Sequence, residues 1–230
     1  MEDKSLFEAQ LNRYPKPVTI EGITKILEQL KKAICKLYIN KGEKKGTGFF
    51  CNINLKNKSI NTLISNFHII NSNYINNNKK IIFSINDDSE IKVIKIEPND
   101  KREIYYNEKN DITIIEIINN DNIKNVNYLK LDEKIFLENS INYYEGKSIY
   151  DLSYHNGGKA SVSYGLLKEI CNNNNINNLI HLCSTDKGSS GSPLLNLENY
   201  KVIGIHCGDS KFQYNRGIFL KYPFMNLSKK

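Results

Sequence analysis

Thr185-Asp186-Lys187-Gly188-Ser189-Ser190-Gly191-Ser192-Pro193 sets two serines between glycines and closes with a proline ahead of apolar Leu194-Leu195. A nucleophilic serine has to project from a tight turn. Nearby backbone N–H groups must point at the oxygen that becomes negative in a tetrahedral intermediate. Glycine permits the backbone geometry that aims those amides. On composition alone, the same residues also suit a Ser/Gly-rich surface turn.

Two further segments shift that balance. Asn66-Phe67-His68-Ile69-Ile70 places a histidine at the end of an apolar strand, and Asn110-Asp111-Ile112-Thr113-Ile114-Ile115 places an acid just before one. Alone, the first suggests a packed histidine and the second a turn residue. Together with Ser190 they give the order His68, Asp111, Ser190, separated by 43 and 79 residues. The α/β-hydrolases run Ser, acid, His with a G-x-S-x-G elbow, whereas Ser192 stands here at the fifth position. The order His, Asp, Ser is that of the chymotrypsin arrangement.

Outward from these segments the chain reads as short strands. The candidates are 33–39, 47–53, 62–67, 81–85, 91–96, 112–118, 148–153, 160–167, 179–183, 193–195, 201–206 and 217–221. They are rich in β-branched and aromatic residues and bounded by Gly, Asn and Asp. Twelve strands in about 200 residues indicate an all-β barrel or sandwich, and no strand–helix alternation supports a Rossmann or TIM architecture. One helix precedes them, starting at Thr19 or Glu21 and ending near Lys32, with Ile23, Ile26, Leu27 and Leu30 at helical spacing. It is expected to pack on the core; an inhibitory prosegment and a docking element are the alternatives. Asn76–Asn78 and Asn172–Asn175 read as solvated loop tips, and the polar stretch Asn119–Lys134 as a linker between two halves.

The chain has 230 residues, is 40% hydrophobic and 25% charged, and so is ordinary globular material for one domain or two packed lobes. No apolar run approaches the ~18 residues of a membrane span, and Met1 to Pro17 is polar rather than a secretory signal. Five scattered cysteines without a C-x-x-C pair argue against a zinc ribbon or a complete disulfide framework and suit a reducing, cytoplasmic setting. Cys171 and Cys183 flank an Asn-rich loop and are the pair to check. A net charge of +7 admits an acidic partner. Asn, Ile and Lys are over-used together, as in an AT-rich genome, so lysine content argues little for nucleic acid. No RNA-recognition motif is present, and no nucleic-acid or membrane partner is expected. His155 and His181 have no cysteine or acid at ligand spacing; no metal and no cofactor are expected.

The chain resembles the chymotrypsin-like (trypsin-fold) serine peptidases from about Ala33 to Phe224. Gly46-Thr47-Gly48-Phe49-Phe50 is similar to the family's G-[ST]-G-F segment. Ile64-Ser65-Asn66-Phe67-His68 resembles T-x-x-H, with Asn66 and Phe67 in place of small residues. Asp111-Ile112-Thr113-Ile114-Ile115 resembles D-[IL]-[AT]-[LIV]-[LIV], Gly188 to Pro193 resembles G-[DN]-S-G-[GS]-P, and Val202 to His206 resembles the strand walling the substrate channel. The resemblance implies two packed six-stranded antiparallel β-barrels, the first about 33–120 and the second about 135–224, after an extension over 1–32. It implies an endopeptidase acting on protein or peptide substrates, with Ser190 as nucleophile, His68 as general base and Asp111 orienting the imidazole. Gly188 and Ser190 N–H would form the oxyanion hole. A general-base imidazole must be neutral, so a neutral-to-alkaline optimum is expected.

Within the family, the pair Thr185 and His206 is similar to that of the bacterial glutamyl endopeptidases, whose primary pocket binds a substrate Glu. Hydroxyl and imidazole both donate to a carboxylate. Ser184, at the position that marks the pocket floor in trypsin-like members, offers no acid for Lys or Arg, and Gly208 closes the Gly204–Gly208 strand. Gln remains open as a second preference, as does a buried structural role for His206. Ser189 replaces the acid that receives a freed N-terminus in trypsin-like zymogens, which leaves that switch without its partner. Cys207 replaces a serine that supports the triad acid. With Asn66-Phe67, that change motivates the alternative of a catalytically silent module that binds a partner.

Overall fold

The structure, a computed structural model, describes residues 14–39, 42, 44–54, 58–97, 100–173, 176–209 and 214–227. Its first element is α1 (Ile20–Lys32). Thr19 caps it, the hydroxyl accepting from Gly22 N–H at 3.1 Å, a bond of a kind that contributes about 1 kcal/mol. Lys31 and Lys32 in the last turn suit the negative end of the helix dipole. Ile26 is buried, and Gln29 takes a hydrogen bond from Tyr150 Oη at 2.7 Å while donating to Tyr200 O at 3.1 Å. The helix is thus packed on the body of the protein, with Ile20, Ile23 and Leu27 left outward.

The first lobe is one sheet of β1 (Ile34–Ile39), β2 (Lys44–Asn54), β3 (Ser59–Ser65), β4 (Lys80–Ile85), β5 (Glu90–Lys95), β6 (Ile104–Asn107), β7 (Ile112–Glu116) and β8 (Leu129–Lys130). Its antiparallel path runs β5-β4-β1-β2-β3-β7-β6, and β8 pairs in parallel with β2. Alternation in β3, with Ile60 and Thr62 inward and Ser59 and Asn61 outward, is the period of a half-buried strand. Between β3 and β4 stands α2 (Ser72–Asn78).

The second lobe closes fully. β9 (Ser148–Tyr154), β10 (Ala160–Asn173), β11 (Ile176–His181), β12 (Pro193–Asn196), β13 (Val202–Asp209) and β14 (Asn215–Phe219) form a barrel in the order β10-β11-β14-β13-β12-β9. Closure removes free sheet edges. A short α3 (Ser140–Tyr144) precedes it, and α4 (Lys221–Leu227) follows, burying Phe224 and Leu227.

The all-β, two-lobed architecture with a leading helix is the expected one, with a curled open sheet in the first lobe and a closed six-stranded barrel in the second. Asn76–Asn78 correct the sequence reading: they end α2 rather than form a loop tip. Asn71 caps that helix through Tyr74 N–H, and Ile75 buries its one apolar face. Asn172 and Asn173 end β10, and Asn174–Asn175 lie outside the described residues. Asn119–Lys134 contains β8 and one short 3-10 turn, and a second, Glu133–Phe136, begins at its end. All five cysteines are free, so Cys171 and Cys183 do not pair. Among the described residues, no helix is long and apolar enough to cross a membrane.

Candidate active site

His68 stands in the turn that follows β3, and Asp111 in the tight turn that opens β7. Asp111 has φ +47°, a left-handed conformation that Asp tolerates better than most residues. Its carboxylate reaches His68 twice: Oδ2 lies 2.8 Å from Nδ1, and Oδ1 accepts the His68 backbone N–H at 2.9 Å. The unusual Asn66 has a clear place. It is fully buried and donates to Asp111 O at 2.9 Å, with the Cys207 thiol 3.2 Å from the same amide nitrogen. Cys207 is itself buried, which pushes its thiol pKa far up, and the nearby Asp111 charge adds to that. Asn66 thus braces the Asp111 backbone, and Phe67 packs edge-on against Tyr106.

The turn before β12 is defined by where its backbone hydrogen bonds go. Asp186 N–H donates to Ser189 Oγ, Lys187 N–H to Asp186 Oδ1, and Ser189 N–H to Asp186 O. Gly191 N–H donates to His206 O, and Ser192 N–H to Ser189 O. On the acceptor side, Lys187 O takes Asn156 N–H, Gly188 O takes the Thr47 hydroxyl, and Ser190 O takes Thr47 N–H. Among the described residues, two N–H groups of 186–192 have no partner: those of Gly188 and Ser190. Gly188 and Gly191 both have φ +88°, and a Cβ on Gly188 would collide with Tyr154 O and Gly157 N. Only glycine fits there without strain.

His68, Gly188 and Ser190 line one cleft of about 990 Å³, with Lys45, Asn71, Tyr74, Asn156, Gly157 and Lys187 around them. No direct hydrogen bond joins His68 to Ser190; in an unliganded site such bonds are often long. Thr185, Ser184, His206 and Gly208 are not part of that cleft's lining. Ser184 is exposed, Thr185 half-buried, and a Cβ on Gly208 would meet open space. His206 is 2% exposed, and its Nδ1 lies 3.1 Å from Nε2 of His181, also fully buried. Burial pushes the His181 imidazole down to about 3, with help from the neighbouring His206. Burial likewise pushes His206 down to about 4, helped by its electrostatic surroundings, in which Arg216 carries a fixed positive charge. Both are neutral near pH 7. Among the described residues, no group of three His, Cys, Asp or Glu side chains is placed to hold a metal ion.

Several residues support this site in ways the sequence does not announce. Asn156, Asp186 and Ser189 tie the serine turn, and His181 backs His206. A Ser/Gly-rich run signals a turn, but not which distant chain segment holds it. Arg216 is paired with Gly208 across β13 and β14 and is another such residue.

Two β lobes with a histidine–carboxylate pair and a serine turn facing one cleft define the serine-peptidase class. Residues 46–205 match the family described as trypsin-like peptidase domain, and the chain belongs to that family. Similar solved structures include the HtrA-type protease AlgW with tripeptide, at 16% identity and TM-score 0.64, covering 90% of this chain and 62% of that one. The serine endoprotease from Yersinia pestis is 15% identical, with TM-score 0.63, over 93% of this chain and 67% of that one. The Rv3671c protease of M. tuberculosis, inactive form, is 14% identical, with TM-score 0.63, over 93% and 98%. The chain spans less than two thirds of the AlgW structure. No curated protein matches the sequence.

Proposed function

We propose that this protein is a serine endopeptidase in which Ser190 attacks the scissile carbonyl and His68 takes the hydroxyl proton and later gives it to the leaving amine. Asp111 holds the imidazole and stabilises its protonated form. Gly188 and Ser190 N–H form the oxyanion hole. The observation that carries this reading is the hydrogen-bond pattern of the serine turn. Every other N–H from Asp186 to Ser192 is occupied, and the two without a partner among the described residues belong to Gly188 and Ser190, the donors this mechanism needs for an oxyanion.

The preference proposed is for Glu, with Gln second, before the cut. If His181 Nε2 donates to His206 Nδ1, the His206 Nε2–H is left as a donor for a carboxylate or amide oxygen. Arg216, whose charge is felt at His206, adds positive potential, and Thr185 adds a hydroxyl. The five free thiols support a reducing compartment such as the cytoplasm as the place of action.

A peptide-library digest read by mass spectrometry, comparing wild type with Ser190→Ala and His206→Ala, tests both parts. Cleavage after Glu that disappears in Ser190→Ala and loses its Glu preference in His206→Ala is the expected result. Cleavage retained by Ser190→Ala rejects the mechanism. The second reading, a silent binding module, draws on the missing direct bond between His68 and Ser190. It requires that wild type neither cut the library nor react with a fluorophosphonate.

A further inference from the structure

We propose that the Thr47 side chain is a positioning residue for the oxyanion hole, clamping the serine turn from the opposite lobe. The inference rests on the roles given above to Gly188 and Ser190. Thr47 lies in β2 of the first lobe and is fully buried. Its hydroxyl donates to Gly188 O at 2.8 Å and accepts Tyr154 N–H at 3.2 Å. Its own N–H donates to Ser190 O at 2.9 Å, and its carbonyl accepts the Ser65 hydroxyl at 2.8 Å. One residue therefore holds carbonyls on both sides of the Ser190 N–H.

The hydroxyl is the part that chemistry singles out. Gly188 has a peptide plane on each side. The Lys187 carbonyl of one is held by Asn156 N–H, and the Gly188 carbonyl of the other by Thr47 Oγ. Gly188, with φ at +88°, has no side chain to fix its peptide planes, so these two anchors set the direction of its free N–H. The same oxygen steadies Tyr154, the last residue of β9, immediately before the turn that presents Asn156. Removing the hydroxyl leaves two buried polar groups unpaired at once, and each supports one side of the Gly188 N–H. A hydroxyl has one proton and spare lone pairs, which is what this pair of partners needs. Nothing here touches substrate; Thr47 would act through Gly188.

Thr47→Val keeps the shape and the backbone bond to Ser190 O and removes only the hydroxyl. Expected is a fall in kcat of about 10–100-fold, short of or equal to the ~10²–10³ for a whole lost oxyanion donor, with KM changed less than about 3-fold. A peptide aldehyde, which presents a tetrahedral oxyanion to the hole, should lose affinity by the same factor. Thr47→Ser should restore both, and the pH profile should keep its shape in every variant. A kcat and aldehyde affinity in Thr47→Val within about 2-fold of wild type would overturn the proposal, as would a Thr47→Ser variant equally impaired. Should Thr47→Val not fold, Thr47→Cys against Thr47→Ser compares a weak with a strong donor of similar size, and equal rates overturn it. Fluorophosphonate labelling of Ser190→Ala, run alongside, separates the two levels. Labelling there sinks the underlying mechanism, whereas an unlabelled Ser190→Ala beside a fully active Thr47→Val sinks only the role of Thr47.

Discussion

Asp111 grips His68 at two points, the ring through Oδ2 at 2.8 Å and the backbone N–H through Oδ1 at 2.9 Å. A carboxylate accepts at both oxygens and donates at neither, so it requires the Nδ1–H tautomer and leaves Nε2 free for the proposed role of base. Asparagine cannot impose that choice. It does tolerate the left-handed φ of +47° at this position, so Asp111→Asn should fold normally. Expected is a drop in kcat on the order of 10⁴, with the thermal midpoint nearly unchanged. Steady-state kinetics beside a melting curve checks it. A loss under tenfold would mean that the pair does not work as a catalytic unit.

Gly191 follows the proposed nucleophile with φ +88°, and a Cβ there would press into Thr47 O and Ser65 Oγ. Gly146 has a similar φ of +76° but faces nothing within 4 Å. Gly146→Ala should therefore cost only the conformational strain, about 1–2 kcal/mol, and leave kcat alone. Gly191→Ala should cost more, because backbone must move, and should remove most activity. Urea unfolding and kinetics on both variants separate strain from collision. Equal destabilisation would show that the approach of the two lobes is looser than described.

Arg102 and Asp121 are an ion pair at 2% and 3% side-chain exposure, with Nη1 and Nη2 donating to the two carboxylate oxygens at 2.8 and 2.7 Å. Arg102 also donates to Glu116 O at 2.7 Å, which ties the pair to the end of β7. Breaking a buried pair leaves an uncompensated charge. Arg102→Met should cost about 3–5 kcal/mol, and Arg102→Met with Asp121→Leu should recover part of that, because Asp100, 3.3 Å from Nη2, still loses its cation. Chemical denaturation reads both. A double variant no more stable than the single one would contradict this account.

How much of this was visible in the chain follows from how local each signal is. Ile26 and Leu30 at helical spacing, with Thr19 ahead, marked α1 almost to the residue, because cap and apolar face lie within one segment. The order His68, Asp111, Ser190 is readable in the chain, and the structure brings the first two into hydrogen-bond contact. The buried Asn66 looked like a departure from pattern; its purpose, the bond to Asp111 O 45 residues away, exists only in three dimensions. Thr47 stood in a recognisable segment, yet its clamp on a turn 141 residues away did not show. The two-residue β8 and the four-residue β6 were missed because so few residues display no alternation. The Asn-rich α2 was missed because asparagine disfavours helix interiors, and here the burial of Ile75 outweighs that preference.

Asp151 is a fully buried carboxylate on β9 with no cationic partner among the described residues; the Ser153 and Ser192 hydroxyls donate to it, and Cys183 lies close by. Burial raises its pKa from the usual carboxylate range to about 7, with the two hydroxyls opposing that rise. Between about pH 4 and 7 the folded state therefore holds a proton that the unfolded state has released. Stability from this group falls as pH rises through that window and is flat above it. The buried His181 and His206, pushed down to about 3 and 4, act in the other direction. Their stability is complete above ~6.5 and is lost as pH falls toward those values, because the unfolded imidazoles bind protons first. In wild type the two trends offset each other in the overlap. Asp151→Asn removes the first and keeps an acceptor for a serine hydroxyl. The variant should be more stable than wild type at pH 8, by on the order of a few kcal/mol, with the gap closing near pH 4–5. Urea unfolding at the two pH values measures it directly. A variant less stable than wild type at pH 8 would show that the ionised carboxylate stabilises the fold through its hydroxyl bonds to Ser153 and Ser192.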